Sequence, residues 1–296
     1  MKNSMFDGFI HKQIETQETI INLVQGGSGE PILLLHGYPQ THVCWHRVAP
    51  ILAERFTVVC PDLRGFGDSA KPLSDPEHFA YSKRVIAQDQ VDVMQSLGFD
   101  TFAVVGHDRG ARVAHRLALD HAEKITKLAL LDIVPTSWAF ANVDKEMATA
   151  AFNWFFLIQP DGLPERLIGA EPAFYLQWIL DHWAGRKNAF AEEAIAEYQR
   201  CFDPETIRAA SEEYRASGTI DLMHDEADQG HKISCPTLVL WSATSMWAAY
   251  DILEIWRERA EHVEGVAFDC GHFLPEEDPE RTATELIRFL LPAAQS

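Results

Sequence analysis

The sequence predicts an α/β fold: a mostly parallel sheet with helices on both faces and an inserted helical cap. Three observations carry this. Short, continuous apolar runs alternate with helix-period segments through the first 135 residues. An aromatic-rich stretch with helical spacing and no strand signal follows. Strand and helix signals then return near the C-terminus. Continuous apolar runs are what strands buried on both faces require, and helices between them supply the parallel crossovers.

Taken in order, PILLLHGYP (residues 31–39) is an apolar strand closed by a Gly/Pro turn. WHRVAPILAERF reads as helix and FTVVCPDLRGFG as strand and loop. YSKRVIAQDQVDVMQSLGF places Val85, Ile86, Val91, Met94 and Leu97 on one helical side. TFAVVGHD is a buried strand, RGARVAHRLALDHAEKI a helix and LALLDIVP a further strand. From Ser137 to Met223 the segments AFNWFFLIQP, EPAFYLQWILDHWAG, AEEAIAEYQRCF and IRAASEEYRASG all read as helix. CPTLVLWSA and HVEGVAFDCGH restore strand character, and RTATELIRFLL closes the chain as helix. The expected organisation is a core over residues 1–136, a helical cap over 137–223 and a second core part over 224–296. A cap over the C-terminal edge of such a sheet encloses a pocket.

Composition narrows the function classes. The 296 residues, 47% of them hydrophobic, can bury a full-sized core. No stretch approaches the roughly 20 apolar residues of a membrane span, and the N-terminus lacks the apolar region of a secretory signal, so a cytoplasmic location is expected. A formal charge of −19 opposes binding to nucleic acid or an anionic membrane. It also means that an anionic substrate would need a local reversal of the field. Five scattered cysteines (Cys44, Cys60, Cys201, Cys235, Cys270) form no CxxC pair, which argues for free thiols and against a zinc site.

The chemistry centres on Gly106-His107-Asp108-Arg109-Gly110, between the strand TFAVV and the helix ARVAHRLAL. This is the context of a nucleophile elbow, a tight strand-to-helix turn that exposes its central side chain. The centre is Asp108, and no G-x-S-x-G occurs, so a serine hydrolase has no candidate nucleophile. The competing role for Asp108 is a helix cap. Among thirteen histidines, His272 in Cys270-Gly271-His272-Phe273-Leu274 stands after the last strand, where this architecture delivers its base. Asp132, at the end of LALLD, is the better-placed acid to orient it. Asp251 comes too late in its loop, and a turn or cap role is the alternative for Asp132. The backbone N–H groups of Tyr38, in His36-Gly37-Tyr38-Pro39, and of Arg109 are the expected oxyanion donors. Gly65-Phe66-Gly67-Asp68-Ser69-Ala70 superficially matches a dinucleotide fingerprint, but it opens no clear helix and reads as a turn.

These motifs, in this order, resemble the α/β-hydrolase branch that contains epoxide hydrolases, haloalkane dehalogenases and haloacetate (fluoroacetate) dehalogenases. The likeness spans nearly the whole chain. Epoxide hydrolases and haloalkane dehalogenases usually carry Trp after the nucleophile, whereas this chain has Arg109 and, one turn on, Arg112. At i, i+3 beside an electropositive helix start, the two guanidinium groups are expected to grip a substrate carboxylate. The resemblance to fluoroacetate dehalogenases implies a halide pocket of His, Trp and Tyr. Here Asn153 replaces the His, while Trp154 and Tyr214 match; core packing is the competing role for Trp154. Trp183 is the candidate for the access route.

The resemblance therefore implies hydrolytic displacement of halide from a small 2-halo acid, with no cofactor or metal and a homodimer as the expected assembly. An epoxide hydrolase would use the same Asp108, Asp132 and His272, with Tyr214 and Tyr175 or Tyr198 protonating the epoxide oxygen. A non-catalytic binding protein for a small acid is the alternative from another class.

Overall fold

The computed structural model describes residues 5–291. Eight strands form one sheet in the order β1-β2-β4-β3-β5-β6-β7-β8. They are β1 (Ile10–Glu15), β2 (Ile20–Gly27), β3 (Pro31–Leu35), β4 (Thr57–Pro61), β5 (Phe102–His107), β6 (Ile125–Leu131), β7 (Thr237–Ser242) and β8 (Val263–Phe268). From β4 through β8 all pairings are parallel, as continuous apolar runs predict. The first two strands pair antiparallel and extend the sheet by one edge. They were not among the expected strands. β1 is half-exposed along its length, so it has no apolar run to betray it.

Three helices matter for the site or its support: α1 (Ala49–Ala53), α2 (Lys83–Ser96) and α3 (Arg109–Asp120). The expected helix over WHRVAPILAERF is split. His42–Trp45 forms a 3₁₀ turn, and only Ala49–Ala53 is α-helical, with Pro50 in its first turn where a missing N–H costs nothing. α3 is buried from Arg109 to Ala118, charged residues included, because it packs on β5 and β6 behind the sheet's C-terminal edge. The Gly65–Ala70 segment is a turn wrapped around Asp62, whose carboxylate accepts from Asn22 Nδ2 and from the N–H groups of His42 and Asp68.

Between β6 and β7 the chain runs through eight helices, from Thr136–Ala141 to Ile220–Ala227. No strand interrupts them. The insertion begins one residue before the expected start at 137 and its last helix ends four residues beyond 223, where the chain turns toward β7. Among the described residues no helix is long and apolar enough to cross a membrane, and no group of His, Cys, Asp and Glu is placed to hold a metal ion.

The register aligns the strand ends that matter. Leu35 pairs with Gly106, Gly106 with Leu130, and Leu130 with Val239. The loops after β3, β5, β6 and β7 therefore leave the sheet at one level. Close approach at this edge has a steric signature. A Cβ on Gly110 would lie 2.3 Å from the His36 carbonyl oxygen, and one on Gly106 would lie 2.4 Å from Ala111 Cα. Both contacts are with backbone, which cannot rotate away. Gly110→Ala should therefore destabilise the fold by about 2–3 kcal/mol, the usual cost of overpacking a core. Urea unfolding of the purified variant measures it; a loss below half that range would mean that α3 can shift off β3.

Candidate active site

The turn at Asp108 is strained. Its backbone sits at φ 49°, ψ −118°, outside the regions that side-chain-bearing residues prefer. The strain is held by crowding on both sides, since a Cβ on Gly37 would lie 2.4 Å from Asp108 Cβ. Asp108 makes no capping bond with its own side chain, so the helix-cap role fails and the carboxylate is free to point out of the turn. Its Oδ1 accepts from the Tyr38 N–H at 2.8 Å. Arg109 opens α3, so its N–H belongs to the group that a helix leaves without an internal acceptor.

A charge chain runs away from this carboxylate. His272 Nε2 lies 3.6 Å from Asp108 Oδ2, an ion-pair distance rather than a hydrogen bond. On its other side His272 Nδ1 lies 2.7 Å from Asp132 Oδ2. Asp132 follows β6 at φ 53°, and its second oxygen accepts from Ser242 N–H at 2.8 Å and Ser245 Oγ at 3.2 Å. Asp251, the rejected alternative, caps the helix Ile252–Arg257 instead.

Burial would lower the pKa of His272, but the Asp108 and Asp132 carboxylates on either side outweigh it and push it up to about 10. Burial would raise Asp108, but His272 and the neighbouring His107 and Arg109 hold it below the usual carboxylate range. The sign of each contribution to stability follows. That of His272 is fully present below its unfolded pKa, about 6.5, and is lost as pH rises through about 10. That of Asp108 is present above the ordinary carboxylate range and is lost as pH falls below it.

The two arginines do not share one environment. Arg109 directs Nε at both oxygens of Glu213, at 3.0 and 2.7 Å, and Nη2 at Ser217 Oγ. Its guanidinium lies 4.0 Å from the Tyr214 ring centroid. Lys83 reaches the same Glu213 carboxylate and also Asp221, so Arg109 belongs to a buried charge network. Glu213 outweighs burial and raises the Arg109 pKa further. A buried guanidinium needs a counterion, and Glu213 supplies one for Arg109. Arg112 has none. Its Nη1 donates to the Val134 carbonyl (3.1 Å) and Thr136 Oγ1 (2.8 Å), while Nε and Nη2 are buried with no hydrogen-bond partner. Burial, reinforced by Arg109, lowers its pKa to about 10, still charged near neutrality.

A cavity of ≈ 380 Å³ opens beside these groups, lined by Asp108, Arg112, Asp132 and His272 from the core and by Asn153, Trp154 and Trp183, among others, from the insertion. The Arg112 guanidinium lies 4.4 Å from the Trp154 ring centroid, so Trp154 is both wall and cation–π partner. Asn153 is fully buried and shares a 2.9 Å hydrogen bond with Tyr214 Oη, its other amide atom being unpartnered. Asn153 Nδ2 is the donor in that bond, and the unpartnered atom is its Oδ1. Trp183 sets its edge against the His272 ring at 5.4 Å. Tyr198 faces elsewhere, donating to Glu276. Sequence reasoning missed Glu213, Lys83, Ser242 and Ser245, although a buried Arg109 demands an anion and Glu213 adjoins the Tyr214 it had singled out. It also missed Trp178, Met246 and Trp247 of the cavity wall, which no local motif marks.

The profile of the α/β-hydrolase fold matches residues 30–279. The chain belongs to the α/β-hydrolase-fold family. It is 43% identical over 292 residues to a fluoroacetate dehalogenase from Burkholderia sp, covering 98% of this chain and 96% of that one. It is 35% identical to a soluble epoxide hydrolase from Corynebacterium sp. (strain C12), covering 95% of this chain and 97% of the relative. A solved α/β hydrolase from Nostoc sp PCC 7120 superposes with a TM-score of 0.95 at 57% identity, covering 96% of this chain and 99% of that one. The resemblance read from GHDRG and the order of the motifs is therefore shown, and fold and relatives together support a hydrolase.

Because Asp108 is one of two charges that raise His272, Asp108→Asn should drop the His272 pKa from about 10 well toward the ordinary histidine value of about 6.5. Imidazole titration by NMR reads this directly. A titration unmoved by the substitution would mean that Asp132 alone sets the state of His272.

Proposed function

We propose that the protein is a hydrolytic dehalogenase of small 2-halo acids. The observation that carries this reading is Arg112: a buried cation with two unpartnered nitrogens, lining the same cavity as the Asp108 carboxylate. Leaving charged donors buried and unpaired is costly, and a substrate carboxylate would satisfy both with a forked pair of hydrogen bonds. A neutral epoxide would leave them as they are. The 43% identity to a fluoroacetate dehalogenase points the same way.

In this reading Arg112 holds the substrate carboxylate, with the field of Arg109 behind it, and turns the halogen-bearing carbon to Asp108. An Asp108 oxygen attacks that carbon in line, forms the C–O bond, and the C–halogen electron pair leaves as halide toward Asn153 and Trp154, with Tyr214 polarising the Asn153 amide. The ester removes the negative charge of Asp108, so one of the two groups that held His272 protonated is gone. Its pKa falls, and its proton leaves to solvent. Neutral His272, aligned by Asp132, then takes a proton from water as the water oxygen attacks Asp108 Cγ. The ester carbonyl oxygen becomes an oxyanion stabilised by the Tyr38 and Arg109 N–H groups. Collapse releases the 2-hydroxy acid with the second water proton and restores the Asp108 carboxylate. The balance is one water consumed, one halide and one proton released. No metal or cofactor takes part in these steps. The helical insertion acts as the cap that keeps bulk water from the cavity.

Three measurements test the reading. His272→Ala with bromoacetate should accumulate an ester on the peptide containing Asp108, seen by mass spectrometry; an unmodified peptide would defeat the two-step scheme. Arg112→Leu should lower kcat/KM for chloroacetate by about 2–3 kcal/mol, roughly 30- to 150-fold, and wild type should use chloroacetamide poorly. Equal rates on acid and amide, with turnover of styrene oxide, would favour an epoxide hydrolase instead. Fluoride concentrates its departing charge on a small atom and needs the strongest donors, and a neutral Asn153 amide is weaker than a protonated imidazole. Bromo- and chloroacetate should therefore outperform fluoroacetate, and Asn153→His should raise the fluoro-to-chloro ratio of kcat/KM. A ratio unchanged by the substitution would place halide choice elsewhere in the cavity.

A further inference from the structure

The loop that carries His272 has no regular secondary structure, yet its backbone is fully tethered. Glu277 Oε2 accepts from the Gly271 N–H at 2.9 Å and Oε1 accepts from the Phe273 N–H at 3.0 Å. The residues immediately before and after His272 thus hang from one carboxylate. The same Oε2 accepts from Gly185 N–H at 2.8 Å and Arg186 N–H at 3.0 Å, both in the helical insertion. His272 itself donates its N–H to the Trp183 carbonyl at 2.9 Å. Arg186 closes the clasp by donating to the Glu277 and Asp269 carbonyls. The two backbones touch: a Cβ on Gly271 would lie 2.0 Å from Gly185 N, and one on Gly185 would lie 2.4 Å from Gly271 N.

We infer that Glu277 is a positioning residue that fixes the register of His272 and, through its Oε2, seats the Trp183–Gly185 wall of the cavity. The chemistry explains why a carboxylate stands there. Four N–H groups in irregular backbone, two of them on the buried Gly271 and Phe273, need acceptors, and a carboxylate offers about four lone-pair sites with no donor of its own. An amide cannot substitute, because its NH₂ would face either the Phe273 N–H or the other three donors. Glu277 is itself buried, so water does not replace it cheaply. Asp108 and Arg112 are held by other partners, Tyr38 N–H for the first and Val134 and Thr136 for the second. Loss of the clasp therefore displaces the base while leaving the nucleophile and the carboxylate grip in place.

This inference rests on the dehalogenase reading for its kinetic form. With bromoacetate in rapid quench, Glu277→Gln should still release about one halide per site in a burst and then turn over about 10- to 100-fold more slowly than wild type, the penalty of a misplaced catalytic group. The ester should build up on Asp108. Gly185→Ala, which pushes the clasp apart without touching Glu277, should do the same and serves if Glu277→Gln does not fold. Equal slowing of burst and turnover with no ester, or no slowing at all, overturns the positioning role. The His272 imidazole titration, followed by NMR in both variants, decides the matter independently of the reaction. A loosened clasp moves it toward the ordinary histidine range, and an unmoved titration overturns the inference. His272→Ala that never forms an ester would instead defeat the dehalogenase reading alone.

Discussion

A carboxylate buried in a strained turn governs the rest of this molecule. Asp108 sits at positive φ between two strands and a helix, and its charge is tolerable only because donors and a cation surround it. The Tyr38 N–H meets one oxygen and His272 faces the other. His272 in turn needs Asp132, and Asp132 needs the Ser242 N–H and Ser245 hydroxyl. Each of these groups leaves the sheet at the end of a different strand. The aligned register of β3, β5, β6 and β7 is thus what makes the charge chain closable, and the glycines at 37, 106 and 110 are the steric condition for that register.

The same logic separates the two arginines. Burying two guanidinium groups one turn apart would be prohibitive if both lacked anions. Glu213 and the Lys83–Asp221 pair neutralise the neighbourhood of Arg109, which leaves Arg112 at the cavity as a cation without a counterion among the described residues. A chain with net charge −19 thereby acquires one local site of opposite sign. The insertion contributes the complementary half, since Glu213 and Tyr214 belong to its helix Pro204–Gly218, and Asn153 and Trp154 to its helix Phe152–Leu157. Core and insertion are therefore electrostatically interlocked at Arg109 and hydrogen-bonded at Glu277.

The sequence by itself determined the class of fold and the order of the motifs. Buried parallel strands must be continuously apolar, so β3 to β7 were legible from their apolar runs, whereas the antiparallel pair β1 and β2, the first of them half-exposed, was not. Asp108, Asp132 and His272 were legible because a nucleophile elbow needs local glycines and because each group stands at a strand end. The partition between Arg109 and Arg112 was not. It depends on Glu213, 104 residues away from Arg109, and no local pattern encodes which of two adjacent cations finds a counterion. The clasp at Glu277 was equally hidden, since its value lies in backbone donors from Gly185 and Arg186 that only tertiary packing brings to it. Local spacing reports what a single turn of chain enforces. Ion pairing and acceptor sharing across distant segments are decided by burial, which exists only once the insertion has folded onto the sheet.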